Sequence, residues 1–182
     1  MTNFIEVVDF WFSESVKTKW FRSTAAFDAA LTRRYEPLWK MACAGKINDW
    51  QEQAKGALAL VIVLDQFPLN MYRNSPLGYS SEAQAREVSR FAIQQEFDKS
   101  LQKPEKAFLY MPFMHSENSE DQAFSVSLYE SGKLEDNLRF ARHHQEIIHR
   151  FGRFPHRNKV LGRESTPEEI SYLNSKDAFS PD

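Results

Sequence analysis

The chain has 182 residues, a formal charge of −2 and 42% hydrophobic residues, which suits one well-cored domain spanning residues 1–182. The near-balanced charge argues against a general polyanion binder, and the single cysteine, Cys43, excludes an intrachain disulfide and a cysteine-rich zinc module. Aromatic residues reach 14%, with 15 Phe and 4 Trp, so an interior dense in rings is expected.

The first element is an amphipathic helix, because Phe4, Val7, Val8, Trp11 and Phe12 recur at three- and four-residue steps. Acidic Glu6 and Asp9 there do not fit a secretory signal, so a cytoplasmic location is expected. Lys19-Trp20-Phe21 reads as a loop anchor. Ser23 or Thr24 can cap a second helix through Phe27, Leu31 and Tyr35, which Pro37 kinks or restarts and Gly45 closes. A third helix begins near Trp50 and runs through the apolar stretch Ala57 to Leu64, as the central buried helix. That stretch is far short of the roughly 20 residues a bilayer span requires. Pro68 follows it, and Asn74-Ser75-Pro76-Leu77-Gly78 is a turn cluster.

Ser80 or Ser81 caps the next helix, through Ala85, Val88, Phe91, Ala92 and Phe97. Pro104 opens another, which Pro112 kinks or ends. Asn118 or Ser119 caps a helix that stops near Gly132, and the one from Leu134 to Phe151 stops at Gly152. Ser165-Thr166-Pro167-Glu168-Glu169 is a helix start with cap, proline and first-turn acids. The expected fold is all-α: about seven or eight helices in antiparallel pairs, with no strand.

Four constellations could carry chemistry. Asp65 ends the apolar helix at the negative end of its dipole, where a cation such as Arg73 or a later arginine should hold it. Tyr110 to Glu117 places His115, Ser116 and Glu117 directly after an apolar segment. Its His-x-Glu pair lacks the Pro-Cys-x-x-Cys of a zinc deaminase. His143, His144 and His149 share one helix, but His144 and His149 are about 140° apart on it. Only Glu146 and His149 match a Glu-x-x-His step, so no metal site is expected.

The last constellation is Arg150 to Arg163, with five Arg or Lys, one His and no acid; −2 overall less +5 here leaves −7 elsewhere. It contains no Walker or Gly-x-Gly-x-x-Gly cradle, and so short a basic run argues against nucleic acid. Arg153, His156, Arg157 and Asn158 either bind an anionic group or satisfy the protein's own loop carbonyls and helix ends.

These motifs carry a resemblance. Val8-Asp9-Phe10-Trp11-Phe12, Leu64 to Pro68 with Asn70 and Arg73, Tyr110 to Glu117, and Arg150 to Gly162 with Ser165 to Glu169 resemble the bacterial domain of unknown function numbered 924. The resemblance covers nearly the whole chain and implies a tetratricopeptide-like helical fold, with no established activity. Leu69 and Gln145 stand where the family pattern carries basic residues, which thins the cationic lining of any shared pocket.

The expected function is a binding module for an anionic small molecule or acidic peptide, using Arg73, Arg153, His156, Arg157 and Asn158. The alternative is an enzyme without metal or cofactor. His115 or His156 would serve it as acid–base group, Asp65 or Glu117 would orient that group, and arginines would stabilise negative charge. A purely structural or interaction scaffold is the third possibility.

Overall fold

The computed structural model describes residues 2–179, and among them every regular element is helical. In chain order these are α1 (Phe4–Trp11), α2 (Glu14–Lys17), α3 (Ala25–Cys43), α4 (Ala54–Val61) and α5 (Phe67–Met71). They are followed by α6 (Glu82–Gln94), α7 (Lys103–Met114), α8 (Ser119–Ser131), α9 (Glu135–Phe151) and α10 (Pro167–Leu173). Short 3₁₀ turns fill several links. The caps fall where the residue chemistry puts them. Thr24 and Asn118 accept from first-turn amides, and Thr166 and Glu169 form a reciprocal capping box. Gly152 closes α9 with φ 70°, a left-handed conformation that glycine adopts without steric cost.

The buried axis is α4 continued into α5. From Gly56 to Pro68 every residue is buried, and Ala54–Met71 is long and apolar enough to pass as a membrane span by composition. Here the other helices cover it: 78% of that stretch is buried in the protein. Trp11, Tyr35 and Phe67 pack around it, and Trp11 meets Phe67 and Phe108 edge-on at 5.6 and 5.7 Å. Trp20 is the anchor expected from its loop, donating to the Trp11 carbonyl at 2.9 Å and meeting Phe108 edge-on at 4.6 Å.

Gly56 lets α4 lie against the turn Asn48–Glu52, because a Cβ there would sit 2.0 Å from the Trp50 carbonyl oxygen. Gly56→Ala should therefore cost about 2 kcal/mol of stability despite its better helix propensity. Urea unfolding checks this, and a neutral or stabilising result would contradict the close approach.

The central helix does not end at Asp65. It passes through a π-helical segment, Ile62–Gln66, and continues to Met71, with Pro68 inside. A proline at 68 supplies no N–H to the carbonyl of Leu64, four residues back. That carbonyl accepts instead from the Ser81 hydroxyl at 2.6 Å, and the same hydroxyl accepts from Trp39 Nε1 at 3.0 Å. Ser81 thus heads α6 without capping it through its side chain. Pro112 likewise lies within α7, which runs on to Met114.

The remaining helices form hairpins on this axis: α7 packs on α8, and α8 on α9. Buried apolar residues divide into two clusters. The main core holds α1 to α8 and the start of α9. A smaller cluster joins Ile147 and Ile148 of α9 to Phe154 and Tyr172, flanked by Phe151 and Phe179.

Candidate functional site

The π segment lies where the sequence pointed, and such segments recur at functional sites. Its wider turn aims Asp65 inward, with no exposure. The partner of Asp65 is neither Arg73 nor an arginine of the basic segment. His115, at the end of α7, donates Nδ1–H to Asp65 Oδ1 at 3.0 Å. Gln66 Nε2 donates to the other carboxylate oxygen and also meets the Met111 sulfur at 3.3 Å. Arg73 lies further along, donating to Asn70 Oδ1 at 3.2 Å and Asp28 at 3.1 Å, while Asn70 donates to the Gln66 carbonyl.

His115 is deep but not sealed, with 16% of its side chain accessible, and among the described residues no hydrogen bond engages Nε2. Burial, the largest influence on this imidazole, opposes its charged form; the carboxylates of Asp65 and Glu82 outweigh that and raise its pKa above the usual value. The two carboxylates thus favour the protonated ring more than water does for a free histidine, and in that form Nε2–H is a donor.

Arg157 is 6% exposed and pairs with Glu82, at the start of α6, with both Nη1–Oε2 and Nη2–Oε1 at 3.1 Å. Only the first contact is aligned as a hydrogen bond, and Arg157 Nε has no partner. The rings of Tyr79 and Phe154 lie 4.6 and 4.8 Å from the guanidinium carbon. Burial pushes the Glu82 carboxyl up, against the pull of Arg157 and His115. Glu82 was invisible in the sequence, where it reads as an ordinary first-turn acid.

Arg150, Arg153, Asn158 and Arg163 of the basic segment also engage the protein's own acids. Arg153 forks onto Glu169 at 2.7 and 2.9 Å and reaches the Glu164 carbonyl. Asn158 donates to Ser165 and Glu169 and accepts from Arg163. Arg163 forks onto Glu117 at 2.7 and 2.9 Å, and Glu117 also accepts the Phe154 amide. Despite burial, which acts the other way, Arg163 and that amide hold the Glu117 carboxyl below its usual range. Arg163, a member of the segment but not of the expected site, is the residue that ties it to the end of α7.

His156 lies half-buried between the Phe154 and Phe179 rings, its Nδ1 unpartnered, and burial reinforced by Arg157 drops its pKa to about 3. His144 is not on a surface face of α9. It is buried between Phe154 and Phe179, bonded to the Phe140 carbonyl at 2.9 Å, and burial drops its pKa to about 3. Among the described residues no group of three or more His, Cys, Asp or Glu is placed to hold a metal. An open groove of about 450 Å³ lies between α9 and α10, bordered by His143, Glu146, Arg150 and Tyr172, and no candidate residue lines it.

The structure thus brings Asp65 and His115 into contact and sets the Glu82–Arg157 pair within their electrostatic reach. Arg73 and Arg153 serve other carboxylates.

The comparisons agree with this architecture. A solved structure described as a protein of unknown function, ATU0120 from Agrobacterium tumefaciens, superposes with a TM-score of 0.88 at 37% identity, covering 94% of this chain and 96% of the other. No curated protein matches. Residues 7–177 match the family described as "Bacterial protein of unknown function (DUF924)". The chain belongs to that family.

Proposed function

We propose that the protein binds a small anionic molecule at His115, with Asp65 as the fixed partner that keeps the imidazole oriented and charged. The Asp65–His115 hydrogen bond carries this reading: a carboxylate without exposure pins Nδ1 and leaves Nε2 as the available donor. Arg153, Arg157 and Asn158 already serve internal carboxylates, so recognition centres on His115, with Arg157 the neighbouring cation. The depth of Asp65 and Arg157 favours a small molecule over a peptide.

The same dyad supports a second reading, metal-independent acid–base catalysis. A carboxylate-oriented imidazole with a free Nε2 is the arrangement that delivers or accepts a proton at a bound substrate.

A thermal-shift panel of carboxylate and phosphate metabolites tests both readings. A ligand at a hundred times its Kd stabilises by about 2.7 kcal/mol, or roughly 5–10 °C for a chain of this size. The shift should vanish in His115→Gln. An equal shift in that variant, or none across the panel in wild type, would remove His115 from any ligand site.

A further inference from the structure

Several buried polar groups of α6, α8 and the basic segment are left incompletely satisfied. The Glu82–Arg157 pair is buried yet imperfect: one of its two contacts is misaligned and Arg157 Nε is unpartnered. Buried polar atoms are nearly always paired, so such gaps ask for a missing partner.

Further gaps lie on α8 and beside Arg157. Gln122 grips the carbonyls of Met114 and Ser116, on either side of His115, at 2.8 and 2.7 Å, yet its own Oε1 has no partner. Ser125, one turn along the same helix and fully buried, has an unpartnered hydroxyl. His156 Nδ1, next to Arg157, is unpartnered too.

The C-terminal strap, residues 152–179, has its own apolar cluster with the end of α9. Its recorded ties to the ends of α6 and α7 are polar: Arg157 to Glu82, Arg163 to Glu117, and the Phe154 amide to Glu117. Its buried Phe154 and Tyr172 side chains belong to that cluster and not to the main core.

Building on the His115 reading, we propose that Glu82 holds the place of a ligand carboxylate: a small monocarboxylate enters beside His115, takes the Arg157 guanidinium from Glu82, and is closed in by the C-terminal strap. The Arg157 fork already meets a carboxylate edge, the group its planar geometry matches. The local charges, Asp65 and Glu82 against His115 and Arg157, balance with the imidazole protonated, so one added negative charge is easier to house than the two of a phosphate. Burial disfavours the charge on Glu82, which suits it to release the arginine. The unpartnered groups of Gln122, Ser125 and His156 would meet a hydroxyl or amino substituent on the ligand.

Acetate, lactate and inorganic phosphate, titrated calorimetrically into wild type, Glu82→Gln, Glu82→Asp and Arg157→Lys, provide the test. An internal competitor lowers apparent affinity by the fraction of molecules it occupies. Weakening it in Glu82→Gln should therefore tighten acetate and lactate by roughly tenfold, and Glu82→Asp should move the same way. Arg157→Lys should bind neither. Lactate should also slow amide exchange from Phe154 to Arg163 in wild type.

Circular dichroism establishes which variants fold; should Glu82→Gln not, Glu82→Asp and the wild-type exchange measurement decide. Monocarboxylates binding no tighter to the Glu82 variants, exchange unchanged by lactate, or a preference for phosphate would overturn the proposal. An anion shift that depends on His115 but ignores Glu82 would overturn it while leaving the His115 reading in place.

Discussion

Asp65→Leu should lower the free energy of unfolding by about 3–5 kcal/mol, the range for breaking a buried charged pair by removing one partner. Asp65 has no exposure and accepts from His115 Nδ1 and Gln66 Nε2, so its loss leaves two donors facing apolar surroundings. Against a total stability of about 5–15 kcal/mol this is a large fraction. Asp65→Asn keeps the shape and one acceptor, and should cost about 1–3 kcal/mol. The double variant Asp65→Leu with His115→Met should recover much of the loss, because apolar replacement of both partners removes the unpaired group. Urea unfolding of wild type, Asp65→Leu, His115→Met and the double variant closes the cycle. If the single leucine variant lost under about 1 kcal/mol, or the double variant were additive, the pair would not be the keystone described.

Acidification from pH 7 to 4 should destabilise the protein, beginning at the C-terminal strap. His144 and His156 are held neutral by burial, with pKa values of about 3 against an ordinary 6.5. The folded state therefore binds fewer protons than the unfolded chain below pH 6.5, and stability falls as pH drops through that window. Each histidine costs at most about 3 kcal/mol by pH 4, and less for partly exposed His156, which water reaches. His115 works in the opposite direction. Its raised pKa gives stability that is complete below 6.5 and is lost as pH rises through the folded value. Glu82, pushed up by burial, acts with His115, and the drop of both His144 and His156 to about 3 sets a net loss in acid. Glu117 and Glu169 add to it below about pH 4.5, because both carboxyls are held low in the fold, Glu169 at about 2 through its hydrogen bonds from Arg153. His144→Phe should flatten the upper part of the profile. Stability constant or rising from pH 7 to 4.5 would mean that these rings are not buried neutral.

Helix positions were legible because they depend on local chemistry. Spacing at α1, caps at Thr24, Asn118 and Thr166, and the stop at Gly152 are decided within a few residues. The end assigned to the central helix was wrong for an instructive reason. Pro68 removes one donor, and the compensation comes from Ser81, thirteen residues beyond it and in another helix. Asp65, His115 and Glu117 stood out as polar groups in apolar settings. The Asp65–His115 pairing was one of several the sequence allowed, and the choice of His115 over Arg73 for Asp65 depends on how α7 crosses the π segment. Glu82 and Arg163 carried no local signal, because one looks like a first-turn acid and the other like one more cation in a basic run.

The site's contacts also span long stretches of chain. Asp65 meets His115 across 50 positions, and Glu82 meets Arg157 across 75. Closing such loops costs entropy before any contact rewards it, while the α7–α8 and α8–α9 hairpins close locally. The local hairpins are therefore expected to form first, and the Asp65–His115 and Glu82–Arg157 pairs last. Substitutions at these four residues should then act chiefly on the rate of unfolding, which would make the site's chemistry a measure of how long the finished protein persists.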